Sequence, residues 1–307
     1  MDKPSLSIPV TRRAFVAGSL SVFGAASFIT VPHEANAVKE NGPLRSLTVQ
    51  QVIDIILKEI PGGPVERTVD TIKSGKPEWM VTGIVTTMFA TVEVIRKAID
   101  LKANFIIAHE PTFYNHLDET SWLEQDKVFR FKQDLLNKNN IAVWRFHDYW
   151  HRHEPDGVRM GVLTALGWQQ YYDPQNPRMV TVPSTSLKNI IDHVKTKLDI
   201  SNVRIIGDPA QVCSRILLMP GASGGRSQIQ QLQKEEPDVL ICGEVAEWET
   251  SEYIRDARAM GAERSLIVLG HAQSEEPGME WLVQWLQPKV NGIKVSHILS
   301  QSPFNFA

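Results

Sequence analysis

Residues 93–103 read EVIRKAIDLKA and residues 252–262 read EYIRDARAMGA, so both segments fit the pattern E-x-I-R-x-A-x-x-[LM]-x-A. Each segment is predicted to be a helix between two apolar strands, and the second strand of each unit leads into a histidine, His109 or His271. Helix-face constraints alone also produce short resemblances of this kind, but they do not explain the shared histidine. Two such units predict an α/β fold with its functional site at the carboxyl ends of strands.

The rest of the chain continues this alternation. Predicted strands lie at 81–87, 104–108, 141–146, 179–182, 203–207, 215–219, 239–242, 266–269 and 295–299. Predicted helices lie at 49–60, 91–101, 125–139, 158–166, 187–198, 227–235, 247–260 and 279–286. Pro174, Pro177 and Pro183 indicate a boundary between a first lobe at 38–172 and a second lobe at 173–307, whose C-terminal segment can pack back on the first. We expect two similar lobes of mixed sheets with packed helices.

The first 37 residues have the pattern of an export signal. Arg12 and Arg13 precede a weakly apolar run at 14–31, and Ala35-Asn36-Ala37 supplies a cleavage pattern. Paired arginines before such a run resemble a twin-arginine signal, which predicts a periplasmic or extracytoplasmic protein. An uncleaved anchor is the alternative. No other apolar run approaches the roughly 20 residues needed to span a bilayer.

Composition excludes several classes of protein. The 307 residues are 42% hydrophobic and 22% charged, which excludes a disordered chain, a collagen-like fibre and a disulfide-dense miniprotein. The formal charge of -3 gives no general attraction for nucleic acid, so we expect no nucleic-acid partner. The two cysteines, Cys213 and Cys242, lie in separate apolar stretches and are expected to be buried and inert.

Histidines concentrate after predicted strands. His109-Glu110 follows one strand, His147-Asp148 with His151 and His153 follows another, and His271 with Glu275 follows a third; His116 lies in the loop after the first. A lone histidine at a strand end is more often hydrogen-bonded or solvated than metal-bound. Three clusters at strand ends favour a metal site instead. Imidazole and carboxylate ligands together suit Zn, Mn or Fe.

Three segments of the chain carry a family resemblance. The motif I-I-S-H-H-P-L-[IF]-F appears as IIAHEPTFY at 106–114, and H-T-N-L-D with a following G-V-N-x-x-L-x-x-x-L-G appears as HDYWH at 147–151 and then residues 157–167. The pair [SI]-G-E and A-G-H-x-x-x-E appears as CGE at 242–244 and LGHAQSE at 269–275. These segments resemble the NIF-three-like (NGG-one interacting factor three) family, whose members are often labelled type 2 GTP cyclohydrolase I homologues. The resemblance implies a dinuclear metal centre in a cleft between two α/β lobes and a toroidal homohexamer.

The resemblance also implies a ligand set with two changes. The family's ligands are His, His, Asp, His and Glu, and the matching positions are His109, Glu110, His151, His271 and Glu275. The exchange of His for Glu at 110 is balanced by Asp to His at 151, so three imidazoles and two carboxylates remain. We therefore expect a rearranged two-metal site bridged by Glu275 or Glu110, with His147 or Asp148 as outer partners or alternative ligands.

Two function classes follow from this reading. The first is a metal-dependent hydrolase of a phosphoester, nucleotide or cyclic amide-type bond, with Glu244 as a candidate for proton transfer. The second is a non-catalytic metal-binding, metal-storage or assembly protein. The glycine-rich stretch 221–226 is either an anion cradle at a helix start or a plain flexible turn. The small-molecule substrate cannot be named from the sequence.

Overall fold

The computed structural model describes residues 46–305, which contain ten β-strands and nine α-helices. The strands are β1 (Ile72–Ser74), β2 (Ile84–Thr87), β3 (Phe105–Ala108), β4 (Ala142–Arg145), β5 (Met179–Ser186), β6 (Arg204–Ile206), β7 (Val212–Met219), β8 (Val239–Cys242), β9 (Ser265–Val268) and β10 (Val295–His297). The helices are α1 (Val49–Leu57), α2 (Val92–Asp100), α3 (Lys127–Lys138), α4 (Asp148–Arg152), α5 (Gly157–Leu166), α6 (Leu187–Lys197), α7 (Gly225–Glu235), α8 (Glu252–Ala259) and α9 (His271–Leu286). The proposed export signal lies outside these residues.

The strands form two five-stranded mixed sheets, as predicted. The first has the order β1-β4-β3-β2-β10 and the second the order β5-β7-β8-β9-β6. In each sheet the inner strands are parallel, and antiparallel strands lie at the edges: β1 in the first sheet, β5 and β6 in the second. The C-terminal strand β10 pairs with β2, so the end of the chain returns to the first sheet.

The repeated segments form α2 and α8, which connect the parallel pairs β2–β3 and β8–β9. Both helices lie on outer faces. One apolar cluster joins α2 and α3 to the outer face of the first sheet, and another joins α8 and α7 to the outer face of the second. A third, larger cluster fills the space between the sheets with α1, α5, α6 and α9. Both sheets are therefore covered on both faces, which explains why β2, β3, β4, β8 and β9 are buried along their whole length.

Three local predictions were wrong or incomplete. The His-rich segment after β4, where no helix was predicted, contains the short helix α4. The last long helix begins at His271 rather than at Met279 and includes Pro277. The helix starts directly after Gly270, whose φ of 99° allows the chain to turn between β9 and the helix. Strand β1 was not predicted, because a three-residue edge strand carries too short a pattern.

Other local expectations agree with the structure. Cys213 and Cys242 are free and fully buried, and burial raises the pKa of the Cys242 thiol to about 12. Three aromatic residues in or shortly after β4, namely Trp144, Tyr149 and Trp150, are also buried in the core. No helix among residues 46–305 combines the length and apolarity that crossing a bilayer requires.

Helices α5 and α9 cross at very short range between the sheets. A Cβ at Gly161 would collide with the backbone of Pro277 and Gly278, and one at Gly278 would lie 2.6 Å from the Cα of Val158. The indole N–H of Trp150, in α4, donates to the carbonyl of Gly278 at 3.2 Å. The crossing therefore sets the position of α9 relative to α4 and α5.

We expect Gly161→Ala to lower the free energy of unfolding by about 1–3 kcal/mol, because the added methyl group has no space against α9. An ordinary helical Gly→Ala change stabilises by roughly 0.5–1 kcal/mol, so the sign of the effect is diagnostic. Urea unfolding measures it. Thr164→Ala on the same helix, which removes only a bond to its own turn, is the control. A stabilising Gly161→Ala would contradict the close crossing.

Candidate metal centre

The carboxyl ends of parallel strands bring the first candidate residues together. His109 and Glu110 directly follow β3, and His147 follows β4 by one residue. These strands are neighbours, with Ala108 opposite Arg145 in the register. In the second sheet, β8 leads to Glu244 and β9 leads to His271. The two sheets present these edges to each other, and the side chains meet between them.

Helix α4 is held at its amino end by a carboxylate from a distant segment. Asp70 accepts hydrogen bonds from the backbone N–H groups of His147 (2.8 Å), Asp148 (3.0 Å) and Tyr149 (2.8 Å). These are donors that the first turn of a helix cannot satisfy internally. The cap fixes the direction of α4, and the spacing of four residues then places His147 and His151 on one side of it.

Helix α9 presents its first turn to the same place. His271 is its first residue and Glu275 lies one turn later. Gly221 packs against Glu275 so closely that a Cβ at this position would collide with the carboxylate, and its φ of 71° also favours glycine. The side chain of Glu275 is therefore confined between α9 and the loop after β7, and only 3% of the residue is exposed.

Four imidazoles at this site share one hydrogen-bonding arrangement. In each ring, Nδ1 faces an acceptor within the chain: the carbonyl of Phe146 for His109 (3.0 Å), and carboxylates of Asp148 for His147 (2.9 Å), Asp156 for His151 (3.2 Å) and Glu244 for His271 (3.0 Å). In a neutral imidazole, an Nδ1–H that donates to such a partner leaves the lone pair on Nε2. This arrangement is typical of metal-binding histidines, whose outer nitrogen is oriented by a carbonyl or carboxylate.

The Nε2 atoms point toward two buried carboxylates. For Glu275 the distances are 3.1 Å from His271, 3.6 Å from His109 and 3.8 Å from His151. For Glu110 they are 3.3 Å from His271 and 3.7 Å from His147. Two groups of three have donor atoms within 4.8 Å of one another: His109 with His147 and His151, and His109 with both carboxylates. These residues can hold a metal ion.

Electrostatic interactions at this site are strengthened because several of its groups are buried. The Nε2 of His109 is buried without a hydrogen-bond partner, which is costly for a polar atom unless a ligand occupies its lone pair. Burial and the neighbouring imidazoles hold the pKa of His109 well below its ordinary value, so the ring is neutral and its lone pair is available.

The two opposite charges at the centre stabilise each other. Burial opposes the ionised forms of both Glu110 and His271. The hydrogen bond and charge of His271 nevertheless hold the pKa of Glu110 below its ordinary value, and the carboxylates of Glu110 and Glu275 raise the pKa of His271 to about 10. Glu110 is thus negatively charged around neutral pH, as a cation ligand must be.

The structure brings together all five residues of the predicted ligand set. It also places His147 among them, with Nε2 facing Glu110, rather than behind them. Asp148 points away and accepts hydrogen bonds from Thr68 and Val69. Glu244 lies on the far side of the His271 ring from the two central carboxylates, and its side chain is half exposed. His153 stands apart, packed against Trp281 and Trp285.

Sequence reasoning missed three residues that hold the ligands in place. They are Asp70, which caps α4, Asp156, which orients His151, and Arg145, which contacts Glu110. A signal existed only for Arg145, a lone charged residue in the otherwise apolar strand β4. Asp70 lies nearly 80 positions before the helix it caps, and nothing local marks it.

A cavity of about 1280 Å³ opens beside the cluster. His147, His151 and Arg152 line it from α4 and its N-cap, and Arg178, Ser223 and Lys234 line it from the second half of the chain. The glycine-rich stretch does not present a free helix end to it. The N–H of Gly225, at the start of α7, donates to the carboxylate of Glu249 at 3.2 Å. A side chain of the protein itself therefore occupies the position where an anion was considered from the sequence.

A family model described as Duf34/NIF3 (NGG1p interacting factor 3) matches residues 68–304, which is most of the chain. The chain belongs to the DUF34/NIF3 family. A Clostridium perfringens relative named GTP cyclohydrolase 1 type 2 homolog is 24% identical over 249 residues, covering 76% of this chain and 88% of the relative. A Clostridium acetobutylicum relative of the same name is also 24% identical, over 248 residues.

Solved structures show the same fold at low identity. Staphylococcus aureus hypothetical protein SA1388 superposes with a TM-score of 0.70 at 20% identity, over 86% of this chain and all of that one. A Bacillus cereus protein related to NIF3 superposes with a TM-score of 0.68 at 17% identity and the same coverage. The two-lobed fold predicted from the sequence is therefore that of the NIF3 family.

We expect Asp70→Ala to lower the free energy of unfolding by about 1–3 kcal/mol, because three amide groups of α4 lose their acceptor. Chemical denaturation measures the change. Asp173→Ala, which removes an exposed aspartate that caps only a local turn, is the matched control and should be close to neutral. Equal effects of the two changes would contradict the role given to Asp70.

Proposed function

We propose that this NIF3-family chain is a divalent-metal-dependent hydrolase with a dinuclear centre. The proposed ligands are the five residues predicted from the sequence together with His147: His109, Glu110, His147, His151, His271 and Glu275. One observation carries the proposal, namely the convergence of four Nε2 atoms, each oriented through Nδ1, on two buried carboxylates. We propose Zn, Mn or Fe as the metal, because these ions accept mixed nitrogen and oxygen ligands.

The contacts favour Glu275 over Glu110 as the bridging carboxylate. Both oxygens of Glu275 face imidazoles: Oε2 faces His109 and His271, and Oε1 faces His151. Glu110 offers the site only Oε1, because its Oε2 lies 3.3 Å from the guanidinium of Arg145. A carboxylate with both oxygens directed into a cluster of ligands suits a bridging position between two cations.

Bound divalent cations supply Lewis acidity and acidify a bound water. The chain itself orients the ligands, holds the pKa of Glu110 below its ordinary value and provides a cavity large enough for a small-molecule substrate. Glu244 is half exposed and accepts a hydrogen bond from Nδ1 of His271. We therefore propose that Glu244 exchanges protons between the site and solvent. Phosphoester, nucleotide and cyclic amide-type bonds are the proposed substrates, and the name of the curated relatives puts GTP among them.

We expect the wild-type chain, purified without chelator, to carry about two divalent ions. His109→Ala, His147→Ala, His151→Ala and His271→Ala should each lose at least about one ion, because each removes an oriented Nε2 ligand. Elemental analysis per chain measures this. His193→Ala is the control, since His193 bonds the carbonyl of Leu166 far from the cluster. Full metal content in His151→Ala would contradict the exchange of ligands between positions 110 and 151.

Turnover decides between the two function classes. We expect metal-dependent hydrolysis of at least one compound in a panel of phosphoesters, nucleotides and cyclic amides. The activity should be lost with chelator, restored by added Zn, Mn or Fe, and absent in His271→Ala. Reversible metal binding without turnover across the panel would instead identify a metal-binding, metal-storage or assembly protein.

We further propose a homohexamer exported by the twin-arginine route. Large apolar side chains are exposed between residues 114 and 131, including Leu117, Trp122 and Val128, which suits a surface covered by another copy of the chain. Sedimentation should show an assembly at micromolar concentration, and a stable monomer would count against it.

Replacing Arg12 and Arg13 with Lys should keep the precursor in the cytoplasm, whereas unchanged export would refute the twin-arginine route.

A further inference from the structure

The guanidinium of Arg145 is fully buried beside the candidate metal centre. Its Nε donates to the carbonyl of His109 at 3.3 Å, one terminal nitrogen donates to the carbonyl of His116, and the other donates to Glu110 Oε2 at 3.3 Å. Asp118 lies 3.8 Å away and also pairs with Lys73. All three nitrogens of this buried cation are engaged, as a buried charge requires.

The strand register explains why Arg145 reaches Glu110. Arg145 is the last residue of β4 and lies opposite Ala108, the last residue of β3. His109 and Glu110 follow Ala108 directly, so the forked side chain meets a backbone carbonyl and a carboxylate from consecutive residues. Arginine suits this position because its planar group offers several donors in fixed directions, which lysine cannot do.

The contact divides the two oxygens of Glu110 between two tasks. Oε2 lies against Arg145, while Oε1 faces His271 and His147 at 3.3 and 3.7 Å. Only one oxygen is therefore available to a cation. The positive charge also opposes the cost of burying a carboxylate that is only 7% exposed.

We propose that Arg145 is a positioning residue that fixes Glu110 as a one-oxygen ligand. It allows a buried carboxylate at a position where the family motif that this chain resembles has histidine. The proposal rests on the proposed metal site. A neutral imidazole at position 110 needs no buried cation behind it, whereas a buried carboxylate does. Arg145 and Glu110 thus act as a pair.

Metal titration of conservative and paired variants tests this pairing. Arg145→Lys keeps the charge but not the fork, and should bind one of the two cations about 10- to 100-fold more weakly. Arg258→Lys is the control. Arg258 also donates to polar groups inside the protein, but it does so beside the second sheet, where its partners are Gln211 and the carbonyl of Arg264. Wild-type affinity for both cations in Arg145→Lys would overturn the proposal.

A double variant separates positioning from a general structural role. Glu110→His alone should bind metal poorly, because the new imidazole faces a guanidinium. Glu110→His combined with Arg145→Met should recover binding at least about tenfold, since the repulsion is removed. Thermal unfolding should show that both variants are folded. If the double variant then binds metal no better than Glu110→His, the pairing is contradicted.

Crystal structures of the metal-free wild type and of Arg145→Lys provide a readout that needs no cation. In Arg145→Lys the carboxylate of Glu110 should leave the Nε2 of His271, and an unchanged position would overturn the proposal. A wild type that binds no divalent ion would refute the proposed function, and these two crystal structures would still decide the role of Arg145.

Discussion

The close crossing of α5 and α9 at Gly161 and Gly278 is the contact on which the rest of the structure depends. Helix α5 follows α4, which carries His151, and α9 begins with His271 and carries Glu275. Since neither glycine has a side chain, the helices approach until backbone touches backbone. The crossing fixes two segments more than 100 residues apart and so sets the distance between the two halves of the candidate site.

A second constraint is the cost of burying charge. The site gathers three buried side chains, His109, Glu110 and Glu275, and three partly exposed imidazoles, and buried polar groups are stable only when each has a defined partner. The chain meets this requirement around the edge of the cluster: Phe146, Asp148, Asp156 and Glu244 take the Nδ1 positions, and Arg145 takes one oxygen of Glu110. The Nε2 atoms and the remaining oxygens stay directed inward. With the Nδ1 atoms engaged by these outer partners, the Nε2 atoms and the inward carboxylate oxygens form a cluster that can hold a cation.

The set of donors distinguishes this chain from the family pattern it resembles. Glutamate occupies the second position of the His-His motif, and histidine occupies the position of the aspartate. The structure shows that both replacements point into the same cluster and that His147 adds a fourth imidazole. Two carboxylates remain, so the formal charge offered to cations is that of the family set. A site that keeps its charge while exchanging the identity of its ligands is consistent with retained metal binding.

The sequence by itself determined the fold class and most of the candidate ligands. The alternation of apolar strands with amphipathic helices follows from local periodicity, and histidines that follow strands favour a metal site. The resemblance to the family motifs supplied the set His109, Glu110, His151, His271 and Glu275, because spacing alone does not show that these side chains converge. Tertiary structure decided what local patterns do not encode. Asp70 caps a helix nearly 80 residues away, Arg145 divides the oxygens of Glu110, and α9 begins eight residues earlier than predicted, with Glu275 confined by Gly221. The orientation of each imidazole was equally hidden, because it depends on which acceptor the folded chain brings to Nδ1. The partners of His147 and His151 are close in sequence, but the other features arise from contacts between distant segments, which exist only once the chain has folded.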